Sequence, residues 1–135
     1  MRVGLIGAGR IGAFHAQTLA DHPAVTDVVV TDTLPERADA VAAEVGASVA
    51  SDARARIGSI DAMVIAAATD VHAEMMLLAA EAGIPVFCEK PIATDLPATD
   101  VVVERLRMLE IPAQIGFQRR FDFGYRSAKE LVDSG

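Results

Sequence analysis

Gly7, Gly9 and Gly12 stand in the spacing G-x-G-x-x-G, and an acidic residue, Asp32, follows twenty positions after the last of them. Residues of these types at this spacing can hold a dinucleotide. The first glycine lets the chain turn sharply, the second lets the backbone approach a pyrophosphate with no Cβ in the way, and the third lets a helix pack closely on a strand. Phosphate oxygens are then met by the free N–H groups of the helix start, here Arg10, Ile11 and Gly12, and by the positive end of the helix dipole. A carboxylate at position 32 accepts hydrogen bonds from both hydroxyls of a ribose and repels a 2′-phosphate, so the site reads as one for NAD rather than NADP.

A second chemistry is suggested by Lys90, which stands between Glu89 and Pro91. Hydride transfer between an alcohol carbon and a nicotinamide needs a group that takes the hydroxyl proton or returns it. A lysine serves when burial and neighbours bring its pKa toward the working pH. Glu89 is placed to hold the side chain, and Pro91 fixes the chain beyond it, with a cis bond available at small cost. On residue types alone, the pair reads first as a solvated Glu-Lys of the kind common at strand ends. His72 lies in a first helical turn behind Thr69 or Asp70 as a cap, where a histidine tends to stay neutral. A plain first-turn residue and a cofactor contact account for it equally well. His15 reads as a packed helix residue, His22 as a surface residue before Pro23, and Cys88 as buried and inert. No spacing of His, Cys, Asp or Glu suits a metal, and no serine sits in a nucleophile elbow.

These residues must be positioned by alternating strands and helices. Val3–Ile6 is a short apolar strand, followed by a helix with Ile11, Phe14, His15, Thr18 and Leu19 at helical spacing. Residues 27–31, 47–50, 62–66, 85–88 and 113–116 read as further strands, several of them continuous apolar runs of the kind that fill a buried parallel sheet. Between them, Pro35 opens a helix with Ala38, Val41, Ala42 and Val45 inward and Gly46 at its end. Ser51-Asp52 caps a brief helix to about Gly58. Another helix carries Val71, Met75, Leu78, Ala79 and Ala82 on one side. Thr94 or Asp95 caps a long helix to about Glu110 with Val102, Leu106 and Leu109 inward. The alternation predicts an α/β fold, a doubly wound parallel sheet of Rossmann type. In such a sheet the ligand lies beyond the strands' C-terminal ends. Gly7–Gly12, Asp32, Thr69–His72, Glu89-Lys90 and Gln118–Arg120 are therefore expected around one crevice. Residues 1–117 form this domain. Residues 118–135, charged and aromatic and then helical over Ser127–Ser134 with Ala128, Leu131 and Val132 on one face, read as the start of a truncated C-terminal substrate domain.

The 135 residues are 52% hydrophobic and 23% charged, which predicts an ordered globular chain with a real core. A net charge of −7 argues against nucleic acid or an anionic membrane surface as partner. The single cysteine makes no internal disulfide, and neither a leader nor a membrane-spanning stretch is evident, so a cytoplasmic location is expected.

Four segments together resemble the Gfo/Idh/MocA oxidoreductases in order and spacing, and within them the inositol 2-dehydrogenase branch. They are Gly7-Ala8-Gly9-Arg10-Ile11-Gly12 with His15-Ala16, then Thr69-Asp70-Val71-His72-Ala73, then Val86-Phe87-Cys88-Glu89-Lys90-Pro91-Ile92-Ala93, and last Gly116-Phe117-Gln118-Arg119-Arg120-Phe121-Asp122. The Glu-Lys-Pro motif is the most specific of them and turns the reading of Lys90 from solvated to catalytic. The resemblance implies an NAD(P)-dependent dehydrogenase of cyclitols or sugars in which Lys90 lies near nicotinamide and substrate hydroxyl. It places the glycine loop and Asp32 on the adenosine half, Arg37 near the adenine, Thr69 to His72 along the nicotinamide half, and Arg120 toward the substrate, with Glu89 and Lys90 completing the cofactor-binding set. Two departures stand out: Ala68-Thr69-Asp70 where many members have Pro-Asn, and Phe123-Gly124 where many have Pro. Family members continue into a second α/β domain that carries the substrate wall, a catalytic Asp and His, and the contacts of a homo-oligomer. The chain alone is thus expected to bind NAD and to turn over poorly. Two alternatives are a non-catalytic NAD-binding or interaction module, and a reductase of an imine or oxo-sugar.

Overall fold

Six short strands, each leading into a helix or helical turn, build the chain, and the computed structural model describes residues 1–135. In chain order they are β1 (Arg2–Ile6), α1 (Arg10–Ala20), β2 (Asp27–Thr31), α2 (Pro35–Val45), β3 (Ser48–Val49), α3 (Ala53–Arg56), β4 (Ala62–Ile65), α4 (His72–Glu81), β5 (Val86–Cys88), α5 (Leu96–Met108), β6 (Ala113–Ile115) and α6 (Phe123–Asp133). The strands lie in the order β3-β2-β1-β4-β5-β6 and every pairing is parallel. The order reverses between β1 and β4. A crevice opens at such a switch point, beyond the carboxyl ends of the two strands.

Both faces of the sheet are covered, which is why its central strands read as unbroken apolar runs. Alternate residues divide between two cores. On one face Val3, Leu5, Val28 and Val30 pack with Ala16 of α1 and Ala38, Val41 and Ala42 of α2. On the other, Ile6, Val29, Met63, Ile65, Val86 and Cys88 pack with Met76, Ala79 and Ala80 of α4 and Val102 and Leu106 of α5.

Three elements depart from expectation. The buried side of α1 is Gly12 and Ala16, while Ile11 and Phe14 are exposed. The helix lies so close to β1 that only small residues fit between them, and the large apolar residues are turned outward. In α4 the buried side is His72, Met76, Ala79 and Ala80, with Met75 and Leu78 only partly covered and Ala82 exposed. Neither Thr69 nor Asp70 caps it: Thr69–Val71 forms a 3-10 turn without a side-chain cap. The last helix begins at Phe123 rather than Ser127, because the Asp122 carboxylate accepts the Tyr125 N–H at 3.1 Å.

Of the two cap candidates for α5, Asp95 is used; its Oδ1 accepts the Ala98 N–H at 2.8 Å. Asp95→Ala is expected to lower stability by about 1 kcal/mol. A urea midpoint that falls with an unchanged slope is the check. No helix of the chain is long and apolar enough to cross a membrane.

Candidate functional site

The three glycines meet three different constraints. Gly7 leaves β1 at φ 97°, and a Cβ there would lie 2.7 Å from the backbone of Ala66 and Ala67. A Cβ on Gly12 would lie 1.9 Å from the Gly7 carbonyl oxygen, so helix and turn touch backbone to backbone. Around Gly9 nothing lies within 4 Å of that position. The middle glycine thus keeps an open approach in front of the α1 N-terminus, where the amides of Arg10, Ile11 and Gly12 have no intrahelical acceptor. Arg10 and Ile11 are exposed at this end. A pyrophosphate fits this cradle: fixed donors, a favourable dipole and no side chain in the way.

A groove of about 620 Å³ runs from the glycine turn past the ends of β1, β2 and β4 and the loop after β3. Asp32 and Arg37 line it on one side and Ala66, Ala67, Ala68 and Asp70 on the other. Asp32 Oδ2 accepts the Ala8 N–H at 2.6 Å, and its Oδ1 accepts the Leu34 N–H at 2.9 Å. Burial alone would raise the carboxyl pKa. The amides of Ala8 and Leu34, the Arg37 guanidinium and the Thr33 hydroxyl outweigh it and hold Asp32 below the usual carboxylate value. The group is therefore ionised at neutral pH, oriented by the main chain, and retains acceptor capacity for ribose hydroxyls.

The expected single crevice is divided. The ends of β5 and β6 gather at a second depression, on the other side of the α1 first turn, walled by Ile11, Phe14, His15, Glu89, Gly116 and Phe117. Here Glu89 does not hold Lys90. Its carboxylate meets His15 Nε2 at 2.9 Å, and the His15 ring stands edge-on to Phe87 with centroids 5.2 Å apart. The Gly116 backbone packs on the same carboxylate, close enough that a Cβ there would lie 3.0 Å from Oε2. Lys90 itself is exposed and makes no ion pair, and the peptide bond to Pro91 is cis. The burial expected around a proton-handling lysine is not provided by these residues.

His72 is the first residue of α4, the first-turn placement expected of it. It is 1% exposed, with Nδ1 2.7 Å from the Pro91 carbonyl oxygen and Nε2 3.1 Å from that of Ala67. Both ring nitrogens face main-chain carbonyls, so no edge is left for a cofactor. It ties the groove wall to the Lys90 loop. Thr69 is partly exposed in the 3-10 turn, and its neighbours Ala68 and Asp70 form the wall. Arg120 is exposed in the turn Gln118–Arg120, with its guanidinium 5.8 Å from the Phe117 ring centroid, away from the groove. Cys88 is buried, and desolvation together with the Glu89 charge pushes its thiol up to about 12, in keeping with an inert residue.

Comparison with known proteins accords with this geometry. The profile of the Gfo/Idh/MocA oxidoreductase family, NAD-binding Rossmann fold, matches residues 1–117. The chain is 42% identical over 145 residues to inositol 2-dehydrogenase 3 of Saccharopolyspora erythraea, with 100% of the chain and 41% of that protein covered. It is 35% identical over 139 residues to the scyllo-inositol 2-dehydrogenase (NAD(+)) of Bacillus subtilis, with the same coverage, 100% and 41%. The scyllo-inositol dehydrogenase of Lactobacillus casei, crystallised with NAD(H) and scyllo-inositol, superposes with a TM-score of 0.90 at 33% identity, over 100% of this chain and 41% of that one. The chain thus spans about two fifths of the length of the curated relatives it matches.

Proposed function

Because this chain belongs to the Gfo/Idh/MocA oxidoreductases with an NAD-binding Rossmann fold, we propose that it is the cofactor-binding part of an NAD-dependent dehydrogenase acting on a hydroxyl carbon of a cyclitol or related sugar. The carrying observation is the pairing, along one groove, of an open Gly9 with an ionised Asp32 that is oriented by the amide of the neighbouring Ala8. Residues 1–117 are the dinucleotide domain, and residues 118–135 begin the part that walls the substrate. The cyclitol is drawn from what the relatives are named for.

Bound NAD supplies the hydride acceptor. The α1 amides receive the pyrophosphate, Asp32 accepts from the adenosine ribose hydroxyls, and Arg37 flanks the adenine end of the groove. Lys90 Nζ exchanges a proton with the substrate hydroxyl, from the strand end adjoining the glycine helix. Its enclosure is the task of the substrate domain, which also holds the reacting carbon at near-attack distance.

Calorimetric titration with NADH and NADPH tests the reading. NADH is expected to bind more tightly than NADPH, and Asp32→Ala to weaken NADH by about tenfold to a hundredfold, as befits loss of charge-assisted hydrogen bonds. If neither dinucleotide binds, or if the variant keeps the full preference for NADH, the assignment of this groove falls.

A further inference from the structure

The residues on either side of Lys90 are each held by a histidine, and the two histidines come from opposite faces of the sheet. Before it, the Glu89 carboxylate is 2.9 Å from His15 Nε2 on α1. After it, the Pro91 carbonyl oxygen is 2.7 Å from His72 Nδ1 on α4. Helix α1 packs in the core that contains Val3 and Leu5, and α4 in the one that contains Ile65 and Cys88. Both helices also begin at the groove, α1 with the glycine turn and α4 just after the wall residues Ala66, Ala67, Ala68, Asp70 and Val71.

We infer that His15 and His72 are positioning residues for Lys90: His15 acting through the Glu89 carboxylate, and His72 through the Pro91 carbonyl, set the main chain from which the lysine reaches the site. Neither touches the reacting atoms. Several details point to a built device. Glu89 turns away from its sequence neighbour toward a partner 74 residues distant. The Gly116 backbone packs so closely on that carboxylate that a Cβ there, 3.0 Å from Oε2, would push it aside. The Glu89 N–H donates to the Ile65 carbonyl at 2.9 Å and the Gly116 N–H to Cys88 at 2.8 Å, so the carboxylate sits on main chain already fixed by the sheet. The other nitrogen of the His72 ring, Nε2, lies 3.1 Å from the Ala67 carbonyl oxygen, so the ring stands between the groove wall and the Lys90 loop, its shorter contact being the one to Pro91. Filling of the groove and placement of the lysine thereby pass through the same two helices.

This inference rests on the reading of Lys90 as the proton-handling group, and the test separates the two. The sequence has only two lysines, Lys90 and Lys129, and Lys129 is paired with Asp133 on α6. In a Lys129→Arg background, reductive 13C-methylation leaves Lys90 as the sole labelled side-chain amine. Amide exchange at Glu89 and Gly116 is measured without cofactor, and the Lys90 methyl signal with and without NADH. His15→Ala should accelerate exchange at both amides about tenfold and abolish the NADH-induced displacement of the Lys90 signal, while NADH affinity changes by less than about threefold. His15→Gln restores a donor to Glu89 and should recover both readouts. His72→Phe, which keeps a ring and removes the N–H that faces the Pro91 carbonyl, should also abolish the Lys90 response; if that variant does not fold, the His15 series decides. Unchanged exchange and an unchanged Lys90 response in His15→Ala would overturn the inference. So would a Gln variant that behaves as Ala does, since the ring would then act by bulk alone. If exchange responds as stated but NADH fails to displace the Lys90 signal in the parent, the placement of Lys90 at the nicotinamide is wrong and the clamp itself stands.

Discussion

Gly12→Ala is expected to abolish dinucleotide binding and to lower stability by about 3 to 5 kcal/mol, beyond the ordinary range for a single methyl group. The added Cβ would sit 1.9 Å from the Gly7 carbonyl oxygen and 2.8 Å from its carbon. Both are backbone atoms, so no side-chain rotation relieves the overlap. Gly7 has little room to withdraw, since its own backbone passes so near that of Ala66 and Ala67 that an added Cβ would lie 2.7 Å from them. The helix must lift from β1 and carry its first-turn amides out of register with the phosphates. Gly9→Ala is the control. It has open space around it and an extended backbone at φ −74° and ψ −171°, which alanine adopts freely. Its stability should stay within about 0.5 kcal/mol of the parent while NADH binding is still lost, since the methyl then projects into the phosphate approach. Urea melts and calorimetry on the two variants give a crossed result. Retention of NADH binding by Gly12→Ala would show that the glycine helix is not the pyrophosphate cradle.

Lys90→Met in the active protein should reduce turnover of a cyclitol by about a thousandfold, within the range attributed to a positioned acid or base. Methionine keeps much of the side chain's reach and apolar stem while removing the amine. Because Lys90 is exposed and makes no ion pair, folding stability should change by less than about 0.5 kcal/mol. NADH affinity should also be nearly unchanged, since Lys90 is not among the residues that line the glycine-loop groove. Steady-state rates and NADH titration together make the check. A turnover number within tenfold of the parent would remove Lys90 from the proton transfer.

Much of this was legible in the chain, because it depended on local rules. Glycine spacing, the Val28–Val30 and Met63–Ile65 runs, Pro35 and Gly46 at the ends of α2, and Asp95 before α5 all report on their own neighbourhoods. The structure shows Gly7 and Gly12 meeting the sharp turn and the close packing that their spacing implied, and open space in front of Gly9. What sequence reasoning missed depended on the sheet order. Nothing local in Glu89 says that α1 will lie beside β5, so its partner His15 could not be read from the motif. The buried face of α1 failed for another physical reason: hydrophobic spacing favours Ile11 and Phe14, but close helix–sheet contact selects Gly12 and Ala16 by size. His72 stands in a first helical turn, as its place in the sequence suggests; what is not legible there is that its ring packs between the carbonyls of Ala67 and Pro91, which the fold brings together. The early start of α6 was visible in principle, since Asp122 is a competent cap, but the aromatic residues after it weakened the helical pattern.

The two outermost strands of the sheet are short: β3 has two residues, and β6 has three, as its neighbour β5 does. Pro112 stands directly before β6 and offers no N–H, and Gly116 closes it. An edge of that length exposes too few free amides and carbonyls to template an incoming strand. The parallel ladder is therefore finite by construction. Chains crowded together, each carrying a formal charge of −7, are kept from stacking sheet to sheet both by mutual repulsion and by margins too short to zip.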